Sequence, residues 1–566
     1  MARQPLSKRM LLDLASAVSL GVSLLLAWVY ALSRFGLSCP SWDPRLSIVL
    51  RAVVLPLGYE GALLWTLLLL PPVYPRGFPW LAAPPLAFAL ALFVADPLPL
   101  ALLTVILAIA FGARKVLEAL PAGVIVAELA VSAGFAASAY GLRLPLLSAL
   151  PLHFSLYCLL VPAMPVLALL ACLSPLLAPL APRSVKLSAP FRGKQLLALG
   201  LLASLLMWSI IYASALNPGA RLVGVDAVTR YYPHALKLLE GGLPSVLKVG
   251  YDRPLHYLLL YGLAKVLGPY DAVRALALTP LLLYTAASYL LAKKLWGGRV
   301  AGLAAFAAPL TYTATAGLFG GLYGNWTALS VALLAYALLI EWLKGRGFYR
   351  LAAYFALMLA AVAIHVYVGA VVFATSALTL ALAAAERSYK KRALTALAVQ
   401  LALAALGLQA AEHYFSTIGV RGPLSVALLM ANLWLRRAAA VKVFSEGWWS
   451  DFCFAVYRYA PTAALDPTVW LLTATAIAVA GFKRLESFVL LPWMAVTALL
   501  AFTAPSTLIW RALYDFPYSI AEALGLAYLA TVSAERFGER SAKLCVAALL
   551  LYKLSYALAF AVGLAS

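Results

Sequence analysis

The chain has 566 residues, of which 64% are hydrophobic and 11% charged, with a mean hydropathy of +0.94. This composition belongs to an all-α polytopic membrane protein and excludes a sizeable soluble domain, because no polar stretch is long enough to build one. The formal net charge of +22 does not point to nucleic acid, since the basic residues sit in short clusters between apolar runs, as orienting charges do.

Lys8 and Arg9 precede an apolar run that lacks a small-residue cleavage site, so the N-terminus is expected to be cytoplasmic and the first helix retained. Membrane segments are expected over 10–33, 48–70, 80–95, 97–113, 120–141 and 150–180. The third and fourth are short and split by Asp96-Pro97, the pattern of a re-entrant pair. Residues 1–182 thus form an N-terminal membrane block with no assigned role. Arg183, Lys186, Arg192 and Lys194 mark 183–195 as a basic cytoplasmic linker, and 196–566 forms the second module.

That module opens with a span at 196–216, followed by a polar connection over 217–256. The next apolar piece, 254–268, reaches only about 22 Å as a helix, short of the roughly 30 Å hydrocarbon core. It is therefore placed in the outer interface. With it there, Lys293, Lys294 and Arg299 fall inside, as do Lys344/Arg346/Arg350, Arg387/Lys390/Lys391/Arg392, Lys483/Arg484 and Arg536/Arg540/Lys543. The remaining spans are expected at 273–295, 299–317, 325–343, 350–364, 366–385, 393–411, 467–482, 486–503, 514–533 and 541–563. About 17 membrane segments follow. The outward face collects 217–272, the Gly-rich 318–325, 412–465 and 504–513. Cys39 and Cys453 both face outward on this scheme, which permits a disulfide, although two unpaired thiols is the simpler expectation. Cysteine spacing carries no zinc or redox motif. Asn and Gln are scarce, which fits a high-temperature source.

Ionisable residues crowd into the 217–256 connection, and such groups at one face of an apolar protein are usually functional. Asp226, Arg230, His234 and Lys237 share one helical face by spacing. Pro233 suits the first turn of a regular helix and Gly241-Gly242 its end, which gives an amphipathic helix lying on the bilayer. Lys237 and Glu240 read as solvated charges, whereas Asp226 lies close to the membrane and gains little from solvent. Asp252, Arg253 and His256 close the loop. Asp226, His234, Asp252 and His256 offer oxygen and nitrogen donors to a divalent metal, but no second acidic pair follows in the later outward loops, so no cofactor is expected. His365 sits at the outer junction of two spans, as a hydrogen-bonded core residue or a site residue. Arg511, outward and against the orienting trend of the other cations, calls for an anionic partner or snorkels to the headgroups. Trp448 and Trp449 in EGWWSDF are a stacking platform for substrate or part of an interfacial aromatic belt. Asn325-Trp326-Thr327 is an outward sequon at the membrane edge, expected to be unused. No nucleotide loop and no serine triad is present.

The runs VDAVTRYYPHALKLLEGG, YDRPLHYLLLYGLAKVLG and YDAVRALALTPLLLYTAASYLLAKKLWGG resemble the GT-C superfamily of integral-membrane glycosyltransferases. They are closest in style to the protein mannosyltransferase and aminoarabinose transferase branch. TLIWRALYDFPYSIAEALGLAYL is similar to the late outward arginine and following span of those proteins. The resemblance covers 196–566. It implies that Asp226 matches the catalytic carboxylate and that Arg511 holds the lipid phosphate. The loop departs from the mannosyltransferases in having a single Asp where they carry an acidic pair.

The resulting expectation is a multi-pass protein of the cell membrane, with an extracytoplasmic active site. It would move a sugar from a polyprenyl- or dolichyl-phosphate donor to a glycan, lipid or protein acceptor. Asp226 would act as general base, and Arg511 with Arg230 or Arg253, alongside His365, would hold the phosphate. His234, Asp252, His256, Trp448 and Trp449 are further candidates. Two alternatives stand beside it. A lipid-linked-sugar flippase would need ionisable groups along a mid-membrane path. An O-antigen ligase or polymerase-like enzyme would use 412–465, with His413, Arg421, Arg436, Arg437 and Arg458.

Overall fold

The structure, a computed structural model, describes residues 163–565 except 177–186, 188, 213, 215, 250–251, 418–431, 433–434, 437–442, 444, 459–465 and 481–486. The segments expected before residue 150, the Asp96-Pro97 pair, Cys39, Cys158 and most of 412–465 lie outside the described residues. Every regular element among the described residues is helical.

Helix α1 spans Ala163–Leu173 and α2 Gly193–Tyr212. A π turn at Ala227–Tyr231 runs into α3, Tyr232–Val249. Helices α4 (Pro254–Leu267) and α5 (Pro269–Trp296) each open on a proline, where a missing N–H costs nothing. The next stretch is broken. Helix α6 (Gly298–Ala307) passes through a 3-10 turn at Ala308–Leu310 into α7 (Tyr312–Gly320). Then follow α8 (Tyr323–Leu343), α9 (Tyr349–Ile364), α10 (Val366–Ala385) and α11 (Lys390–Thr417). Helices α12 (Glu446–Tyr457), α13 (Pro467–Ala480), α14 (Ser487–Thr503), α15 (Ser506–Tyr514), α16 (Tyr518–Phe537) and α17 (Glu539–Ala565) complete the described chain.

Six of these stretches are long and apolar enough to cross a membrane: α2, α5, α6 with α7, α8, α10, and Lys390–Ala410 of α11. The protein is a helical membrane protein on that ground.

The described residues divide into two compact units, one drawn from 163–190, 445–480 and 524–556, the other from 191–443, 487–523 and 557–565. In the first unit α1 packs on α12 and α13. Lys553, fully buried in mid-helix, donates to Asp466 at 2.6 Å and to Thr468 at 3.1 Å. Trp448 and Trp449 belong to this unit, are buried, and stack on Phe452. Cys453 is disulfide-bonded, while Cys172 and Cys545 are free.

In the second unit α5 packs on α8, α8 on α9, and α2 on α6. One end of this bundle is basic. Glu341, 3% exposed at its side chain, takes Arg346 at 3.1 Å together with Lys294 and Arg350. Trp342 donates to the Arg392 carbonyl at 3.1 Å. Three of the cation clusters separated in sequence therefore meet at one end. The polar connection lies at the opposite end, against the start of α8. Helix α4 both begins and ends there. Its first residues sit by Tyr231, and the start of α5 is held to the end of α2, where Trp208 donates to the Arg274 carbonyl at 2.9 Å. At 14 residues, α4 rises only about 21 Å.

Candidate functional site

The site begins with the backbone that carries Asp226. Gly224 and Gly321 press against each other, so that a Cβ on Gly224 would fall 2.7 Å from the Gly321 Cα. Gly321 caps α7 in the left-handed region at φ 65, which glycine adopts without strain. The Tyr323 hydroxyl donates to the Val223 carbonyl at 2.9 Å and pins the other side of the loop. Asp226 then leads into the π turn, whose wider spacing lets the Tyr232 N–H reach the Ala227 carbonyl. Such turns hold one extra residue per cycle and are frequent at functional sites. Here the turn drives Ala227 and Tyr231 fully inward and leaves Arg230 outside, 3.7 Å from the Asp226 carboxylate.

The expected start of a regular helix at Pro233 is therefore one residue early, at Tyr232, and preceded by π geometry that side-chain spacing does not reveal. Gly242 does break the helix, at φ 66, but a second helical piece continues to Val249.

Tyr231 is the centre of the second wall. It stacks on Tyr323 with centroids 5.7 Å apart. Its hydroxyl accepts from Arg253 at 3.3 Å and from the Gly324 N–H at 3.2 Å. Arg253 is 4% exposed and forks onto Asp252 at 2.8 and 3.0 Å. The Val366 N–H donates to the Asp252 carbonyl at 3.1 Å, which ties the end of the loop to the break between α9 and α10. His365 forms that break in extended conformation, and its Nδ1 accepts from the Val368 N–H at 3.5 Å. His256 lies against Tyr231, fully enclosed, with neither ring nitrogen hydrogen-bonded. A Cβ on Gly324 would touch His256, Tyr231 and His365 together, so these three side chains close around one backbone position. His234 is half-buried and bonded to the Tyr257 hydroxyl at 2.6 Å.

Arg511 is presented by α15, one turn before its end. Its guanidinium lies 4.9 Å from the Tyr367 ring centroid and 5.3 Å from that of Trp510. It makes no ion pair with any acid among the described residues.

These groups share one electrostatic neighbourhood. Burial pushes the Asp226 carboxyl above the ordinary carboxylate range, and the charges of Arg230, Arg253 and Arg511 pull it partly back. Burial and the nearby Arg253 drive His256 down to about 3. His365 is lowered by burial, then by Arg253 and Arg511, and His234 by burial and Lys237. All three rings are neutral at neutral pH.

The structure thus brings Asp226, Arg230, His234, Asp252, Arg253, His256, His365 and Arg511 to one end of the second unit. Trp448 and Trp449 lie in the other unit, buried in their own aromatic cluster. Asn325 and Thr327 of the sequon are buried in α8. Among the described residues no group of three or more His, Cys, Asp or Glu is arranged to hold a metal ion. Sequence reasoning did not single out Tyr231, Tyr323, Tyr367 or Asp515. Asp515 alone carried a signal, an acid four residues after Arg511. No protein-family model, curated protein or solved structure matches the chain.

Proposed function

We propose that the chain is a membrane glycosyltransferase of the GT-C type, which moves a sugar from a polyprenyl-phosphate donor to an acceptor hydroxyl outside the cytoplasm. One observation carries this reading: a single partly buried carboxylate, Asp226, sits where three arginines act on it, and one of these, Arg511, has no acidic partner among the described residues. A base and an anion receptor side by side are what displacement of a phosphate from a sugar requires.

In the proposed reaction the Asp226 carboxylate removes the acceptor proton as the acceptor oxygen bonds the anomeric carbon. The bond from that carbon to the phosphate oxygen breaks, and its electron pair leaves with the phosphate. The donor phosphodiester carries one negative charge and the departing monoester up to two, so cations at the phosphate bind the transition state more tightly than the donor. Arg511 is oriented by aromatic faces, which hold a guanidinium without consuming its hydrogen bonds. The raised Asp226 carboxyl is a stronger base than an exposed one.

Purified protein with a polyprenyl-phosphate sugar and candidate acceptors tests this. Asp226→Asn keeps shape and should cut transfer by roughly 10²–10⁴-fold with donor binding retained, and Asp252→Asn should do less. Wild-type transfer should rise with pH through a midpoint above the ordinary carboxylate range, because only ionised Asp226 accepts the proton. Full transfer by Asp226→Asn would remove Asp226 as the base.

A further inference from the structure

Asp515 has no part in the reaction described above, yet it is the acid nearest in sequence to Arg511. It is 2% exposed, and neither carboxylate oxygen has a hydrogen-bond partner. Its backbone N–H donates to the Arg511 carbonyl at 2.9 Å, so the two side chains leave the same turn of chain. Residues four apart on a turn are within pairing reach. They are nevertheless unpaired: the Arg511 guanidinium rests on the Tyr367 and Trp510 rings.

A carboxylate enclosed without a hydrogen bond is far less favourable than the neutral acid. The surrounding elements do not change that balance. Helix α14 carries no ionisable side chain and α7 only Tyr312. Helix α15 supplies Arg511 and Tyr514, α16 supplies Tyr518 and Glu522, and α10 offers Tyr367 with His365 at its cap. The electrostatics agree, since burial holds the Asp515 carboxyl well above the ordinary range and Arg511 is the only charge opposing it. A neutral Asp515 leaves Arg511 uncommitted, which an anion receptor needs. An ionised Asp515 would be an ideal competitor for the same guanidinium.

We propose that Asp515 is a positioning residue of the anion site: while it keeps its proton, Arg511 is available to a phosphate, and when the proton passes to solvent the carboxylate captures Arg511 and the phosphate is lost. This rests on Arg511 as the phosphate-binding residue. The site would favour phosphate in the protonated state and weaken as pH rises, opposite to the dependence that base catalysis by Asp226 imposes. Together they give a bell-shaped profile whose two limbs belong to two named carboxyls.

The test uses the full chain in lipid nanodiscs and farnesyl-phosphoryl-glucose as the probe. This is a phosphodiester whose single charge does not change between about pH 5 and about pH 9. Wild-type affinity should fall by roughly ten- to a hundredfold toward high pH, the worth of one charge-assisted contact. Asp515→Asn should hold its low-pH affinity throughout, and Asp515→Glu should restore a pH dependence. The same series in an Asp226→Asn background removes the other carboxyl acting on Arg511. A pH dependence identical in wild type and Asp515→Asn would overturn the proposal, as would a flat wild-type curve. A ligand-free measurement stands beside it. The infrared difference between wild type and Asp515→Asn should contain a carboxylic-acid carbonyl band at neutral pH, and carboxylate bands alone would overturn the proposal too. Probe binding at no pH sinks both this inference and phosphate recognition by Arg511. Binding with the expected pH dependence but without sugar transfer sinks only the transferase activity.

Discussion

Replacing Gly321 by alanine isolates how the fold positions Asp226. A Cβ at this position would stand 2.7 Å from the Ala227 nitrogen and 3.0 Å from the Asp226 nitrogen. Both are backbone atoms and cannot rotate away. Restoring ordinary contact at about 3.4 Å needs the loop to withdraw by roughly 0.7 Å. A shift near 1 Å in a catalytic group costs up to about 10²-fold in rate. The left-handed backbone of Gly321 adds roughly 1 kcal/mol of strain for any other residue. Gly268→Ala separates the two effects, because Gly268 has φ 81 but open space around its Cβ position. Its alanine variant should lose only the strain energy in thermal unfolding and keep its transfer rate. Gly321→Ala, at a φ 65 and ψ 31 that other residues adopt at lower cost than the φ 81 and ψ 163 of Gly268, should lose no more stability through backbone strain and in addition about two orders of magnitude in transfer. Equal transfer rates in the two alanine variants would show that the Gly224–Gly321 contact does not position the carboxylate.

Topology is open to direct labelling: cysteines introduced at Lys237 and Tyr270, on either side of α4, should react with impermeant maleimide from the same side of the membrane and one at Lys390 from the other, and reaction of the first two from opposite sides would remove the interfacial placement of α4. In the first unit, Lys553→Met should cost about 3–5 kcal/mol of stability by stranding Asp466 in the interior, with Asp466→Asn combined with Lys553→Met recovering most of it; a single variant no less stable than the pair would show that the two charges do not interact.

The helix limits were legible because they are local. Apolar length and terminal charge set the expected spans; six described stretches are long and apolar enough to cross a membrane, and helices at Tyr323–Leu343, Tyr349–Ile364, Val366–Ala385 and Ser487–Thr503 differ from the expected limits by two residues or fewer. What escaped depends on contacts distant in sequence. The break before Thr311 has a local sign in Pro309, through which the expected span 299–317 runs, whereas the π turn at Ala227–Tyr231 has no local pattern, since it is imposed by packing against α8. Thr311 donates to Glu522, 211 residues away. Tyr231 reads as an ordinary interfacial aromatic until Gly324 and Arg253 are seen bonded to its hydroxyl. Arg511 was legible as an anomaly, an outward cation that calls for an anion. The aromatic faces that hold it belong partly to α10, and no sequence spacing connects those segments. Asp515 was in plain view four residues on, but its significance lies in lacking a partner, which only coordinates reveal.

The distribution of paired and unpaired charge bears on enzyme against transporter. A path for a lipid-linked sugar through the membrane would leave ionisable groups open along it. In the described helices the deep charges are engaged: Lys553 with Asp466, Glu522 with Thr311, and Glu341 with three cations at the basic end. Buried groups without a hydrogen-bonding partner occur in several helices, Trp493 and Thr473 among them, but the Asp515 carboxyl and the His256 ring lie at the loop end with Arg511. Natural proteins leave buried polar groups unsatisfied chiefly where a ligand will satisfy them. On the proposed function, deep charges that are paired and an unpaired Asp515 and Arg511 at the loop end favour chemistry at one face over a path through the membrane, with the donor's lipid tail remaining in the bilayer and its phosphate and sugar drawn to Asp226 and Arg511.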